Sequence, residues 1–399
     1  MATTMASVGN EKMERKNVPS SEAPTSKPAK RVLLISNRVM HYRVSVYNYF
    51  WRCFRVNGWE FVVLSNELQR QNQNQCLFEL VERPFDFFRY REEIRRIEPD
   101  AVILFLHLKD RILWPLIHWL KLSRIPVALW TKTRNLDDPD NRFRNAFFDY
   151  LHLISDGLIL YTSSLRRYVS ERRYGKVFVA NNTINFEDFP QIPESKEAIK
   201  LELGIPFQKV VLFAGRIGEE QNRKKVDHLI DIFGELDRND VGLVIVGSGL
   251  SEELRARMNP ANTIYLGEVH DPLNRQISKI FKMADVCSIP GHVGLGLNQA
   301  FFWGLPMITE HGKQPPEIEY LRDGENGFIV PEDDRVALRN RLISLIDNDE
   351  ERRRLSDNAR RDIIEQASIE GMFNGFLACV KYISRNSPTQ KTVQKSASQ

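Results

Sequence analysis

No stretch of this chain is long and apolar enough to span a bilayer. The best run, residues 112–120, is nine residues long and follows Lys109-Asp110-Arg111, whereas a spanning helix needs about 20. Cysteine is equally sparse. Cys53, Cys76, Cys287 and Cys379 stand far apart, without the paired spacing of a zinc site or a disulfide framework. A reducing compartment fits that usage, and Cys287, inside an apolar run, is expected in the core. There is no internal repeat beyond an alternation of strands and helices. Residues 1–30 are polar, with scattered proline and serine and no apolar h-region, so they read as a disordered tail rather than a signal peptide; residues 386–399 read the same way. Nor does one sign of charge dominate. The net +4 conceals a split: residues 32–185 hold 23 basic against 16 acidic side chains, net +7, and residues 186–385 hold 25 against 33, net −8. Nucleic acid is not the expected partner, because the acidic half would repel it. An anionic membrane surface or a diphosphate-bearing acceptor suits the basic half.

What is present is a soluble, two-domain composition: 399 residues, 42% hydrophobic and 27% charged. Short apolar, β-branched runs occur at 32–36, 61–64, 101–106, 126–131, 158–161 and 177–180, with helical patterns between most of them. A second series follows at 210–214, 242–246, 263–266, 284–289, 307–309 and 328–330. Strands alternating with helices predict two parallel sheets with right-handed crossovers and a cleft between them. Residues 37–42 read as a polar loop after the first strand. The expected domains are 31–185 and 199–367, joined by a linker over 186–198 that carries Pro190 and Pro193 and followed by a helix over 368–385.

The densest chemical signal is Pro290–Pro306, P-G-H-V-G-L-G-L-N-Q-A-F-F-W-G-L-P. An apolar strand runs into a glycine loop and then a helix start, which directs unpaired backbone N–H groups at one point and suits phosphate. Upstream, the run 210–214 ends in Gly215-Arg216, and Lys224 opens the next helical pattern. This places two cations at the carboxyl edge of a parallel sheet, where α/β ligands bind. A forked guanidinium and a point-charge ammonium together suit a diphosphate. Arg223 and Lys225 flank Lys224, and Lys225 on its own reads as a solvated charge. Asp137-Asp138-Pro139-Asp140 mimics an acidic metal motif, but its polar, proline-containing loop favours turn or capping use.

Gly215-Arg216, Lys224, L-V-I-V-G-S-G at 243–249 and the glycine loop with Gly304-Leu305-Pro306 together resemble retaining glycosyltransferases of family 4, within the glycosyl transferases group 1. The resemblance covers most of residues 31–385. It implies an α/β fold of the GT-B type, two Rossmann-like parallel-sheet domains facing across a cleft, with the last helix crossing back to the first domain. It also implies a nucleotide-sugar substrate with no further cofactor, no metal, and a glycan or lipid-linked acceptor. Arg216 and Lys224 then stabilise the departing diphosphate, assisted by the amides of Gly294 and Leu295. Gly215, Gly291, His292 and Gln299 contact the donor, and Glu268 and Val269 offer backbone contacts to its base. The family's two loop glutamates fall here on Gly291 and Gln299. Gln299 retains hydrogen-bonding capacity toward ribose without charge. His292 is placed to take over a sugar contact from Gly291.

In the first domain, Asn37, Arg38, His41 and Arg43 follow the first strand, and His107 follows the strand at 101–106. Arg38, His41 and His107 are the candidates for acceptor or cleft contacts. Where the family often has a histidine after the strand at 126–131, this chain has Lys132 and Arg134. The expectation is a retaining glycosyltransferase working in the cytoplasm or on the cytosolic face of a membrane. Because both glutamates are replaced, a non-catalytic sugar-nucleotide-binding protein and a nucleotide-sugar epimerase of the same fold stay open as alternatives.

Overall fold

The computed structural model describes residues 30–386, apart from 70–74, 108–109, 137, 219–222, 270 and 272. The expected tails therefore lie almost wholly outside the described residues. The first half runs β1 (Lys30–Val39), α1 (His41–Val56), β2 (Trp59–Leu68), β3 (Glu79–Glu82), α2 (Phe87–Ile97), β4 (Ala101–Phe105), α3 (Leu113–Leu122), β5 (Val127–Thr131), α4 (Arg142–Ile154), β6 (Gly157–Leu160) and β7 (Val177–Val179). The second half opens with α5 (Lys196–Glu202), β8 (Lys209–Ala214), α6 (Val226–Gly234), β9 (Val241–Val246), α7 (Glu252–Ala256), β10 (Thr263–Gly267) and α8 (Arg275–Met283). It closes with β11 (Val286–Ser288), α9 (Leu295–Phe302), β12 (Met307–Glu310), β13 (Gly327–Val330), α10 (Arg335–Asp347), α11 (Asp349–Gln366) and α12 (Ile369–Arg385).

The strands form two sheets, ordered β3-β2-β1-β4-β5-β6-β7 and β10-β9-β8-β11-β12-β13. Every strand pairing among the described residues is parallel. Helices cover both faces, so the central strands are buried on both sides and are built from unbroken runs such as Val32–Ile35 and Val210–Phe213, which are wholly inaccessible. Each sheet anchors its own core cluster.

Two local readings are corrected, and one strand joins those the sequence announced. Residues 37–39 continue β1, with Arg38 and Val39 paired to Glu67 and Leu68, and α1 begins at His41, so no loop spans 37–42. Strand β3, sequence E-L-V-E, carries no apolar run because it is an edge strand with only Val81 buried. Helix α5 starts within the span read as linker, where the Ser195 hydroxyl caps it by accepting from the Ala198 N–H. Helix α12 packs on the first sheet: Met372, Phe376, Cys379 and Val380 are wholly buried in the first-domain cluster. The Phe376 ring lies 4.8 Å from that of Phe50 and 5.1 Å from that of Trp130. Aromatic and sulfur-bearing side chains fill the space between helix and sheet, fixing the chain's end to the domain in which it began.

Candidate active site

The carboxyl ends of both sheets open on one cleft of about 1020 Å³. On one wall lie residues that follow β1, β4 and β5; on the other, residues that follow β8, β9 and β10 and the start of α9. Gly215, Arg216, Lys224, Glu268, Val269, His292, Gly294, Leu295 and Gln299 line the second-domain wall, and Arg38, His41 and His107 line the first.

Lys224 is held at the centre of the second wall. Its Nζ donates to the carbonyls of His292 (2.9 Å) and Val293 (3.3 Å). In return, the Gly291 and His292 N–H groups donate to the Lys224 and Arg223 carbonyls at 3.1 and 2.7 Å. The lysine segment and the glycine loop thus form one zippered unit. Gly215 allows the close approach, because a Cβ there would lie 2.7 Å from Lys224 Cε. Burial pushes the Lys224 ammonium down to about 8, opposed by Cys287 and reinforced by Arg223. Burial, with the positive charge of Arg223, Lys224 and Lys132, pushes His292 down to about 3, so its imidazole is neutral at physiological pH. Gly294, at φ 55° and ψ −152°, occupies backbone space that only glycine enters readily, and from it α9 starts with its first amides on the cleft.

Gly291 does not line the cleft. Its carbonyl accepts from Gln314 Nε2 at 2.9 Å, and a Cβ would lie 2.0 Å from the Arg223 carbonyl oxygen. Glycine is required there to seat the loop on residues 223–224. Lys225 is likewise no solvated charge. It adopts a left-handed conformation (φ 50°), and its Nζ contacts Glu310 Oε2 at 3.0 Å and Asp333 Oδ1 at 2.6 Å. Glu310 is fully buried and also contacts His228 Nδ1 at 2.6 Å. His228, Glu310 and Asp333 are close enough together to hold a cation, and the Lys225 ammonium supplies one. Of the acidic loop, Asp137 lies outside the described residues. Asp138 accepts from Asn141, the residue that caps α4, which is a turn role.

Some features of the cleft had no motif. Gln314 clips the loop by donating to Gly291 O and Glu310 O, both at 2.9 Å, while its Oε1 accepts from the Val293 N–H at 3.2 Å. Arg43 is buried, donates to Asn182 Oδ1 at 2.7 Å, and lies with its guanidinium 4.8 Å from the Trp130 ring centre. Asn182 in turn donates to Glu317 of the second half. Lys132 and Arg134, in the place of the expected histidine, both line the first wall.

Two parallel sheets with their carboxyl edges on a shared cleft define the class as a GT-B glycosyltransferase fold. Residues 208–348, most of the second half, match the family model "Glycosyl transferases group 1", so the resemblance read from the Gly215-Arg216 turn and the glycine loop is borne out at the level of that group. The chain is 30% identical over 201 residues to a phosphatidyl-myo-inositol mannosyltransferase of Mycobacterium leprae, covering 48% of this chain and 50% of that protein. It is 28% identical over 271 residues to a D-inositol 3-phosphate glycosyltransferase of Xylanimonas cellulosilytica, covering 62% and 61%. The chain thus spans about half the length of the first of these curated relatives and under two thirds of the second. Among solved structures, Anabaena Alr3699/HepE in complex with UDP superposes with a TM-score of 0.71 at 13% identity, covering 88% of this chain and 99% of that one. No helix among the described residues is long and apolar enough to cross a membrane.

Proposed function

We propose that this protein is a retaining glycosyltransferase of family 4 that moves a sugar from a nucleotide-sugar donor to a glycan or lipid-linked acceptor on the cytosolic side of a membrane. The observation that carries this reading is the half-buried Lys224 ammonium, braced by the glycine loop, in the same cleft as Arg216 and the first amides of α9. As the anomeric C–O bond breaks, negative charge grows on the diphosphate oxygen that leaves. A guanidinium, an ammonium and helix amides already in place stabilise that charge more in the transition state than in the ground state. The acceptor hydroxyl attacks from the face the diphosphate vacates, and its proton passes to the departing phosphate oxygen, so atoms and charge balance without an enzymic nucleophile or a metal. The neutral His292 faces the same space and is suited to hydrogen-bond a sugar hydroxyl. Gln299 replaces the charged ribose acceptor of the family by an amide. Support also comes from the relatives, two of which are named as sugar transferases, and from the neighbouring fold solved with UDP.

The test is a thermal-shift screen of UDP-, GDP- and ADP-sugars followed by a transfer assay. One nucleotide should raise the melting temperature, and Arg216→Ala and Lys224→Ala should each lower diphosphate release by at least about 100-fold. Release unaffected by both substitutions defeats the site assignment. Interconversion of free nucleotide sugars without acceptor would instead establish an epimerase, and binding without turnover a non-catalytic protein.

A further inference from the structure

Helix α4 has two different faces. Phe148 and Leu151 are buried, whereas Phe143 is 91% and Leu153 61% exposed. Phe143, Phe147 and Tyr150 are spaced i, i+4, i+7, and with Leu153 they form one apolar side of the helix open to solvent. The side is ordered rather than frayed: Phe147 packs on the Trp114 ring of α3, and Tyr150 OH lies 2.6 Å from His118 Nε2. Arg142 and Arg144 are exposed on either side of Phe143. Two acidic neighbours are already paired, Asp138 with Arg144 and Asp149 with Arg173, each at 3.8 Å. Asp140 is exposed in the preceding turn.

We propose that this side of α4 docks on an anionic membrane surface, with the rings entering the acyl boundary and Arg142 meeting lipid phosphates. A contiguous apolar stripe beside arginines is the signature of an interfacial helix rather than of a helix bathed in water. The choice of occupant follows from charge. Residues 32–185 carry net +7, which an anionic leaflet attracts. A second copy meeting this one across a two-fold axis would bring two such basic domains together. Position agrees: α4 also presents Arg144 and Phe148 to the cleft, so the stripe sits at the cleft's rim, where an acceptor anchored in the bilayer would enter. That last point rests on the transfer reading above; the docking itself does not.

The experiment uses the full chain in flotation with vesicles of phosphatidylcholine alone and of phosphatidylcholine with about 30 mol % phosphatidylglycerol, at low and high salt. Binding is expected only to the anionic vesicles, weakening with salt. Phe143→Ser/Leu153→Ser should lower it by at least about tenfold, with the melting temperature and nucleotide-induced shift unchanged. Binding that is absent, or equal on both vesicles, or indifferent to the double substitution overturns the proposal. So does a dimer in light scattering that the double substitution dissociates, since a second copy would then cover the stripe. A chain that binds vesicles but no nucleotide leaves the docking standing and removes the transferase reading; the reverse result does the opposite.

Discussion

Lys225 Nζ lies 3.0 Å from Glu310 Oε2, joining the residue next to Lys224 to a wholly buried carboxylate at the end of β12. Burial pushes the Glu310 carboxyl up, but bonds from His228, the Asp333 amide and Lys225 outweigh it and hold the group below its ordinary value. The ion pair matters because of the backbone beneath it. At φ 50°, Lys225 sits where a side chain is disfavoured by about 1 kcal/mol, and the bonds to Glu310 and Asp333 offset that strain. Two substitutions separate the effects. Lys225→Ala loses the ammonium and keeps the strain; Lys225→Gly loses the ammonium and relieves it. In denaturant unfolding, the glycine variant should be the more stable of the two by about 1 kcal/mol. Equal stabilities would mean that the left-handed turn is not enforced by the packing around it.

Lys224 should make the protein less stable where it makes it functional. Its folded value of about 8 lies below the 10.5 of a free lysine, so between those values the unfolded chain binds more protons than the native one. Stability attributable to this group therefore rises as pH increases from about 8 to 10.5, and its penalty is fully present below 8. The penalty is on the order of 3 kcal/mol, reduced by whatever the bonds to the His292 and Val293 carbonyls return. Lys224→Met should raise the melting temperature at pH 7 and leave it little changed near pH 10. Nucleotide diphosphate affinity should fall above pH 8, since the amine must then take up a proton on binding, and calorimetry in buffers of different ionisation enthalpy should detect that uptake. A pH-independent affinity between 8 and 10 contradicts a titrating Lys224.

The return of α12 to the first sheet depends on Gly157. A Cβ there would lie 2.6 Å from Cys379 Sγ and 2.9 Å from Ile383 Cγ2. Gly157→Ala is expected to cost about 2 kcal/mol through overpacking. Adding Cys379→Ala should recover part of that loss, because the sulfur is the nearer obstacle. Unfolding free energies of the two single variants and the double variant check it; strictly additive losses would show that α12 does not press on β6 there.

Sequence was a good guide wherever one residue type had one use. The runs at 32–36 and 210–214 announce central strands because burial on both faces permits little but Val, Ile, Leu and Phe. That the cation pair and the glycine loop would meet on one cleft was legible because both follow strands at the carboxyl edge of one parallel sheet. Where a residue had two uses, the pattern misled. Gly291 reads as a ligand contact, and its backbone seat shows only once the Arg223 carbonyl is in place beside it. Lys225 reads as a surface charge until its φ and the buried Glu310 are known. Strand β3 has one buried residue and therefore no run. Arg43, Asn182 and Glu317 were invisible as a group because 139 and 135 positions separate the bonded pairs, and a lone asparagine carries no motif.

Asn182 is the hinge pin of that group and supplies the last prediction. Its Oδ1 accepts from the buried Arg43, its Nδ2 donates to the buried Glu317, and its carbonyl accepts from Asn298 Nδ2 at 3.1 Å. Both charged partners belong to different sheets' domains, so the amide bridges them while keeping either charge from being buried alone. Removing it leaves a guanidinium and a carboxylate each short of a partner, a loss of about 2–4 kcal/mol. Asn182→Ala should therefore destabilise more than Gln314→Ala, although the Gln314 side chain makes four bonds to the two of Asn182, because Gln314 satisfies only neutral backbone and hydroxyl groups. Asn182→Asp keeps the acceptor for Arg43 but loses the donor to Glu317 and sets a second carboxylate against it, so its deficit should shrink as pH falls and the pair takes up a proton. Urea unfolding of the three variants at pH 7 and 5 checks the order. An Asn182→Asp deficit that does not change with pH would mean that Glu317 and Asn182 are not in contact in solution.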